Sequence, residues 1–305
     1  MRACAIIVRY CDVQPSDLWS RSLPSLRSTT LPLHAPRAAD APVRLVQLTD
    51  AHLYDDPAAV MLGVNTDASL RAVLAQIGAE PETPDLLLAT GDLSQDGSAA
   101  SYERLRAHLS ATGWPVRCLP GNHDAPEVLR QSLGDWTSPI TDIANWRVVT
   151  LDSTIAGADG GHLDDTQLDL LSEAVESAEA EGRHVLVALH HNLVQIDANW
   201  HDPMMVDNPL ALFRRVERSP HVRLVLWGHV HQEFDCRRHN LRMLATPSTC
   251  FQFTIRDGRH AIDPQPAGYR WIKLYGDGSF ASGVRRLDAS AWQAVCQPRT
   301  DARAA

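Results

Sequence analysis

Six short, nearly unbroken apolar runs constrain the fold more than any other feature of this chain. They read VRLVQLTD (43–50), DLLLATGD (85–92), VRCLPGN (116–122), WRVVTLDS (146–153), HVLVALHH (184–191) and VRLVLWGH (222–229). Each is strand-sized and stops abruptly at polar residues or glycine. Continuous apolar strands of this length suit sheets buried on both faces. Between them lie helix-like stretches at 67–79, 99–112 and 164–182, the last opening on a carboxylate cap with leucines spaced for one buried stripe. Strands alternating with helices imply an α/β sandwich. After about residue 240 short strands dominate, as in RMLATPS, YRWIKLYGDGSF and SGVRRL. No repeat or linker divides 43–290, which reads as one domain.

The flanks differ. Residues 1–42 are rich in Arg, Ser and Pro, lack sustained periodicity and read as a disordered extension, with 291–305 as a flexible tail. CAIIV is too short for the apolar core of a secretory signal. No run approaches the ~18 apolar residues needed to cross a bilayer, and a net charge of −9 argues against a nucleic-acid or anionic-membrane partner. The six cysteines (4, 11, 118, 236, 250 and 296) form no C-x-x-C pair. They read as reduced thiols of a cytoplasmic protein.

The residues at the strand ends carry the chemistry. Asp50 and His52 come after the first run and Asp92 closes the second. Asn122, His123 and Asp124 end the third, His190 and His191 the fifth, His229 and His231 the sixth. Each group alone is ordinary turn or cap chemistry. Their recurrence at successive strand ends, where α/β sheets bind ligands, is not. His34, His108, His162, His184, His221, His239 and His260 lack such company and read as ordinary surface or core residues. Carboxylate and imidazole donors without thiolate suit Fe, Mn, Zn, Co or Ni. There are too many for one ion. Two metals ~3.5–4 Å apart, sharing one carboxylate, form the arrangement that promotes in-line displacement at phosphorus.

The ordered blocks DAH (50–52), GD (91–92), GNHD (121–124), HH (190–191) and GHVH (228–231) resemble the signature of the calcineurin-like metallophosphoesterases. The resemblance implies a four-layer α-β-β-α sandwich. It implies that Asp50, His52, Asp92 and His231 bind one metal, and that Asp92, Asn122, His190 and His229 bind the other. His123 is implied to sit over the phosphate without binding metal, with Asp124 beside it. LGVNT (62–66), ATGDLSQDGSAASY (89–102), HQEFD (231–235) and LATPSTCFQF (244–253) look like the bacterial class III 3′,5′-cyclic AMP phosphodiesterases, a similarity running from Val43 to Leu287. HHNLVQ departs from that pattern by lacking a proline near the paired histidines.

The expected reaction is opening of 3′,5′-cyclic AMP to 5′-AMP by hydroxide shared between two divalent or mixed-valence ions, with iron and manganese preferred. His52, Asp92, Asn122, His123, His190 and His231 are expected to surround the substrate phosphate. His123 is the candidate proton donor to the leaving oxygen. Asp124 either fixes the His123 tautomer or closes the loop, two readings left equal. Asp96 reads as a loop stabiliser. Phe251 or Thr249 could line an adenine site, and a packed strand explains them equally. The loop 196–210, with Trp200, His201 and Asn208, could cover a nucleoside. The small-molecule substrate is the only partner expected beyond a second copy in a homodimer. The alternatives are another phosphodiester substrate, such as a glycerophosphodiester or nucleotide pyrophosphate, or a non-catalytic scaffold.

Overall fold

The computed structural model describes residues 28–32, 41–196, 202–257 and 259–296. Two sheets lie face to face. The larger runs in the order Thr29–Thr30, Ile140–Ile143, Trp146–Thr150, His184–Ala188, Val222–Trp227, Leu241–Ala245, Phe234–Arg238. The smaller runs Phe280–Arg286, Gly268–Leu274, Val43–Leu48, Leu86–Thr90, Val116–Leu119. The central strands of both sheets are parallel: Val43–Leu48, Leu86–Thr90 and Val116–Leu119 in one, and Trp146–Thr150, His184–Ala188, Val222–Trp227 and Leu241–Ala245 in the other.

The period-two geometry of a strand explains why these segments are apolar throughout. Leu45, Leu86, Leu88, Leu224 and Leu226 point into a core shared by the two sheets. Their neighbours Val46, Leu87 and Ala89 face the helices Thr66–Gly78, Ala99–Ser110 and Pro126–Leu133. Val225 and Trp227 face Asp165–Ala180 and Pro209–Val216 on the opposite side. Helix, sheet, sheet and helix form the four expected layers. The helices start where side chains cap them: Asn65 accepts from Ala68 N at 2.7 Å, and Asp164 accepts from Gln167 N at 2.9 Å.

Both flanks differ from the sequence expectation. Within the expected extension, Thr29–Thr30 pairs in parallel with Ile140–Ile143, and Leu31 packs against the inter-sheet core. Two threonines on an exposed edge carry no apolar pattern, so the sequence holds no signal for this strand. Residues 1–27 and 33–40 lie outside the described residues. Within the expected tail, Ala289–Val295 is a helix capped by Asp288, and Val295 is buried beside Val64 and Phe251. Residues 297–305 lie outside the described residues, as do Trp200 and His201 of the loop 196–210.

Candidate metal centre

Five strand ends meet at one place. The first ligand loop continues the ladder of its strand along the second: Asp50 N donates to Gly91 O at 3.0 Å and His52 N to Asp92 O at 2.8 Å. Across the sandwich Gly228 N donates to His190 O at 3.1 Å, and His229 N to both Asp50 oxygens at 3.1 Å. This tight meeting forces left-handed backbone on Asp50, His52, Asp92, His229 and His231, with φ between 47° and 65°. Non-glycine residues persist there only where their surroundings over-determine them. Gly91, at φ 88°, has a further reason for its identity, since a Cβ there would lie 2.3 Å from His190 Nδ1.

The histidines are oriented from behind. His190 Nδ1 donates to Thr90 O at 2.9 Å and His231 Nδ1 to Phe251 O at 2.8 Å. A carbonyl can only accept, so in the neutral rings Nε2 carries the lone pair. Those lone pairs face other acceptors. His190 Nε2 lies 3.3 Å from Asp92 Oδ2 and 3.1 Å from Asn122 Oδ1. His231 Nε2 lies 3.4 Å from Asp50 Oδ1 and 3.1 Å from His52 Nε2, itself 3.8 Å from Asp92 Oδ2. His229 completes the cluster, its ring 5.0 Å from that of His190. Acceptors converging on acceptors in buried surroundings fit bound cations.

The charges agree with this. Burial opposes ionisation of Asp92, but His190 and His52 outweigh it and hold its carboxyl well below the usual range. Asp50 is likewise held low, against its burial, by His231 and His190. Burial pushes His52 down to about 4, keeping it neutral and able to ligate. Burial also opposes charge on His190, yet Asp92 lifts it to about 9. Cys250 lies against His52 and His231, but burial pushes its thiol up to about 12 and its Sγ donates to Asp50 O at 3.2 Å.

The structure brings Asp50, His52, Asp92, Asn122, His190, His229 and His231 together, with His123 at the rim. Among the described residues no hydrogen bond joins Asp124 to the His123 ring. Asp124 accepts from Leu93 N, Ser94 N, Gly121 N and the Tyr102 hydroxyl, at 3.1, 2.9, 2.9 and 3.0 Å. Of its two readings, loop closure is the one with contacts. Burial and the Asp92 charge raise its carboxyl to about 7. The partner of His123 Nδ1 is Gln95 Nε2, at 3.1 Å, and Gln95 Oε1 lies 2.7 Å from His52 Nδ1. Sequence reasoning passed over Gln95, whose only signal was its place three residues after Asp92.

Phe251 and Thr249 are fully buried in the connection between Leu241–Ala245 and Gln252–Arg256, Phe251 against the rings of His52 and His231, so they are packed residues, though not in a strand, and form no open adenine site. Asn208 exchanges two hydrogen bonds with the Leu163 backbone, which ties down the loop end expected to meet a nucleoside. Asp96 does stabilise its loop, accepting from Asp55 N, Ser98 N and Ser94 Oγ. His191 bonds Ser153 Oγ at 2.8 Å, and its ring lies 4.7 Å from that of His229.

Residues 43–233 match the family described as calcineurin-like phosphoesterase. The chain is 46% identical over 253 residues to a Pseudomonas aeruginosa protein named 3′,5′-cyclic adenosine monophosphate phosphodiesterase CpdA, covering 82% of this chain and 92% of the relative. It is 36% identical over 265 residues to the Escherichia coli (strain K12) protein of the same name, covering 86% and 96%. Among solved structures, a dimetal phosphatase from Danio rerio superposes with a TM-score of 0.55 at 14% identity, over 79% of this chain and 98% of the other, a likeness of fold alone. With sandwich, motif order and sequence in agreement, the chain belongs to the calcineurin-like phosphoesterase family.

Proposed function

We propose that the chain hydrolyses 3′,5′-cyclic AMP to 5′-AMP at a dinuclear transition-metal centre of the kind its family uses. One observation carries the reading: buried acceptors converge on a shared carboxylate, Asp92, in a chain 46% identical to a relative named for that reaction. Asp50, His52, Asp92 and His231 would hold one ion; Asp92, Asn122, His190 and His229 would hold the other. The mixed carboxylate and imidazole donors suit iron and manganese, with zinc or cobalt as substitutes. Two such ions supply Lewis acidity and a water that ionises near neutral pH.

The chain's own residues divide the remaining work. Two carboxylates offset only part of the charge of two divalent ions, leaving about +2 to attract a phosphodiester. Asn122 turns Oδ1 toward His190, which frees its Nδ2 protons for a phosphoryl oxygen. His52, Asp92, Asn122, His123, His190 and His231 would surround that phosphate. His123 is anchored through its backbone N to Asp92 Oδ1 at 2.9 Å and is partly open to solvent, which suits a proton donor. As a water oxygen bonds to phosphorus and gives up one proton to solvent, the P–O3′ bond breaks and its electron pair stays on O3′, which takes the His123 ring proton; solvent returns a proton to His123.

A polar cleft of about 340 Å³ adjoins His231 and is lined by Gln232, Glu233, Gln252, Phe253 and Gln265. We assign the nucleoside to it. A cavity of about 300 Å³ around Arg44 and Trp271 lies on the helix-covered face of the smaller sheet and has no part in the reaction. We place the chain in the cytoplasm as a monomer or homodimer with no nucleic-acid or membrane partner. Cys118, Cys236, Cys250 and Cys296 are free thiols, and no helix among the described residues is long and apolar enough to cross a membrane.

The test is metal-reconstituted protein offered 3′,5′-cyclic AMP, 3′,5′-cyclic GMP, 2′,3′-cyclic AMP and a glycerophosphodiester, with products separated by chromatography. Cyclic AMP should yield 5′-AMP with no 3′-AMP. Much faster turnover of the 2′,3′ isomer or of the linear diester at low concentration would overturn the substrate assignment.

A further inference from the structure

The loop that carries Asp92 is pinned to the first ligand loop, with Leu53 N donating to Leu93 O at 3.1 Å and Gln95 N to Leu53 O at 2.8 Å. The Gln95 side chain is thereby held between two histidine rings that meet edge to face at 5.1 Å. Its Oε1 lies 2.7 Å from His52 Nδ1 and its Nε2 lies 3.1 Å from His123 Nδ1. Those two rings are its only side-chain partners among the described residues. Loop closure falls instead to Asp96 and Asp124.

An amide has one accepting end and one donating end. Metal ligation through His52 Nε2 requires the ring proton on Nδ1, where only an acceptor can receive it. Oε1 must therefore face His52. The NH₂ end is left for His123, and because it can only donate, His123 Nδ1 must accept. The proton of a neutral His123 then sits on Nε2. With the amide reversed, NH₂ would face His52 Nδ1, drive that ring's proton to Nε2 and block ligation. A carboxylate at position 95 would accept from both rings and draw the His123 proton to Nδ1. Only a neutral amide satisfies both histidines.

We infer that Gln95 is a positioning residue that couples metal ligation at His52 to the Nε2-protonated form of His123. The inference rests on the proposed roles of His52 as ligand and His123 as proton donor. It requires the glutamine specifically, because length alone does not discriminate between the two ends of the side chain.

The decisive experiment is ring-nitrogen NMR of the full chain with ¹⁵N-labelled histidine, loaded with zinc, which is diamagnetic. His123 should carry its proton on Nε2 and His52 on Nδ1. Gln95→Met keeps the side-chain length without the amide. At saturating zinc it should hold two ions, and its His123 signals should average between tautomers. Its turnover of 3′,5′-cyclic AMP should fall by about 10- to 100-fold, the usual loss when the hydrogen-bond partner of a site histidine is removed. The loss should be several-fold smaller for bis(4-nitrophenyl) phosphate, whose leaving group departs without a proton. Gln95→Glu should move the His123 proton to Nδ1. A wild-type His123 protonated on Nδ1, or a Gln95→Met protein with an unchanged tautomer, would overturn the inference. So would equal losses on both substrates, which would trace the effect to His52 and the metals. If cyclic AMP proves not to be a substrate, the proposed function fails while the NMR result still decides the role of Gln95.

Discussion

Gly121→Ala should empty the metal centre without unfolding the chain. The backbone at Gly121 is not left-handed, so alanine meets no conformational penalty there and the whole cost is close approach. An added Cβ would lie 2.3 Å from Asp92 Oδ1, 2.4 Å from Asp92 N and 2.8 Å from His190 Cε1. Ordinary contact begins at 3.4 Å, so the Asp92 carboxylate would have to retreat by about 1.1 Å. Metal–ligand distances tolerate about 0.2 Å, so the retreat is roughly five times what a ligand can absorb. It would also strip the bond from His123 N to Asp92 Oδ1. Because Asp92 is assigned to both ions, both should be lost. Overpacking of this kind costs about 1–3 kcal/mol, at about 2–4 °C per kcal/mol for a chain of this class. The metal-free variant should therefore melt several degrees below wild type but remain folded at 25 °C. The control is Gly78→Ala, at the exposed end of Thr66–Gly78, where an added Cβ meets nothing within 4 Å. It should be neutral or stabilising by up to about 1 kcal/mol. Elemental analysis after equilibrium dialysis, with thermal melts of metal-free and loaded protein, reads both effects. A Gly121→Ala protein holding two ions per chain at wild-type turnover would refute the close-approach argument.

Asp92→Asn should lose both ions together, and elemental analysis showing one ion retained would contradict the bridging role. His123→Ala should keep its metal content and lose about 10²–10⁴ in turnover of cyclic AMP, with a much smaller loss for a nitrophenyl diester. Metal uptake should release protons near pH 7, because His190 stands at about 9 when metal-free and must give up its proton to ligate. By the same linkage the charged His190 stabilises the metal-free fold below its ordinary value near 6.5, a contribution lost as pH rises through about 9. Proton release on zinc titration and apo-protein melts across pH 6–10 check both statements. Truncation through residue 32 should cost about 1 kcal/mol in denaturant melts, since it removes the Thr29–Thr30 pairing and the partly buried Leu31, whereas stopping at residue 27 should cost little.

The layers were legible in the sequence because strands buried on both faces are apolar along almost their whole length, as Leu86–Thr90 is up to its last residue. The candidate ligands were legible because a metal accepts few side-chain types and the topology delivers them at strand ends. Edge elements were not. Thr29–Thr30 is polar and exposed, and Ala289–Val295 buries only Val295, so neither leaves a periodic trace. Asp124 shows a different limit. Its type announces a buried carboxylate of some importance, but which donors surround it is decided by the approach of Leu93, Ser94 and Tyr102 in the folded chain.

The left-handed backbone at five candidate ligand positions is the deepest of these limits. Neither aspartate nor histidine demands φ near 50°, and nothing in the order D-A-H or G-H-V-H announces it. The conformation costs about 1–3 kcal/mol per residue and is sustained by ladder bonds such as Asp50 N to Gly91 O and His52 N to Asp92 O. Residues two apart, such as Asp50 and His52, already share one face of extended chain; the left-handed backbone folds the loops in around that shared side, and it brings Gln95 to both His52 and His123. Ligand identity is a local property of residue type, which a sequence displays. Proton placement is a property of the closed loops, which becomes visible only once the two sheets have met.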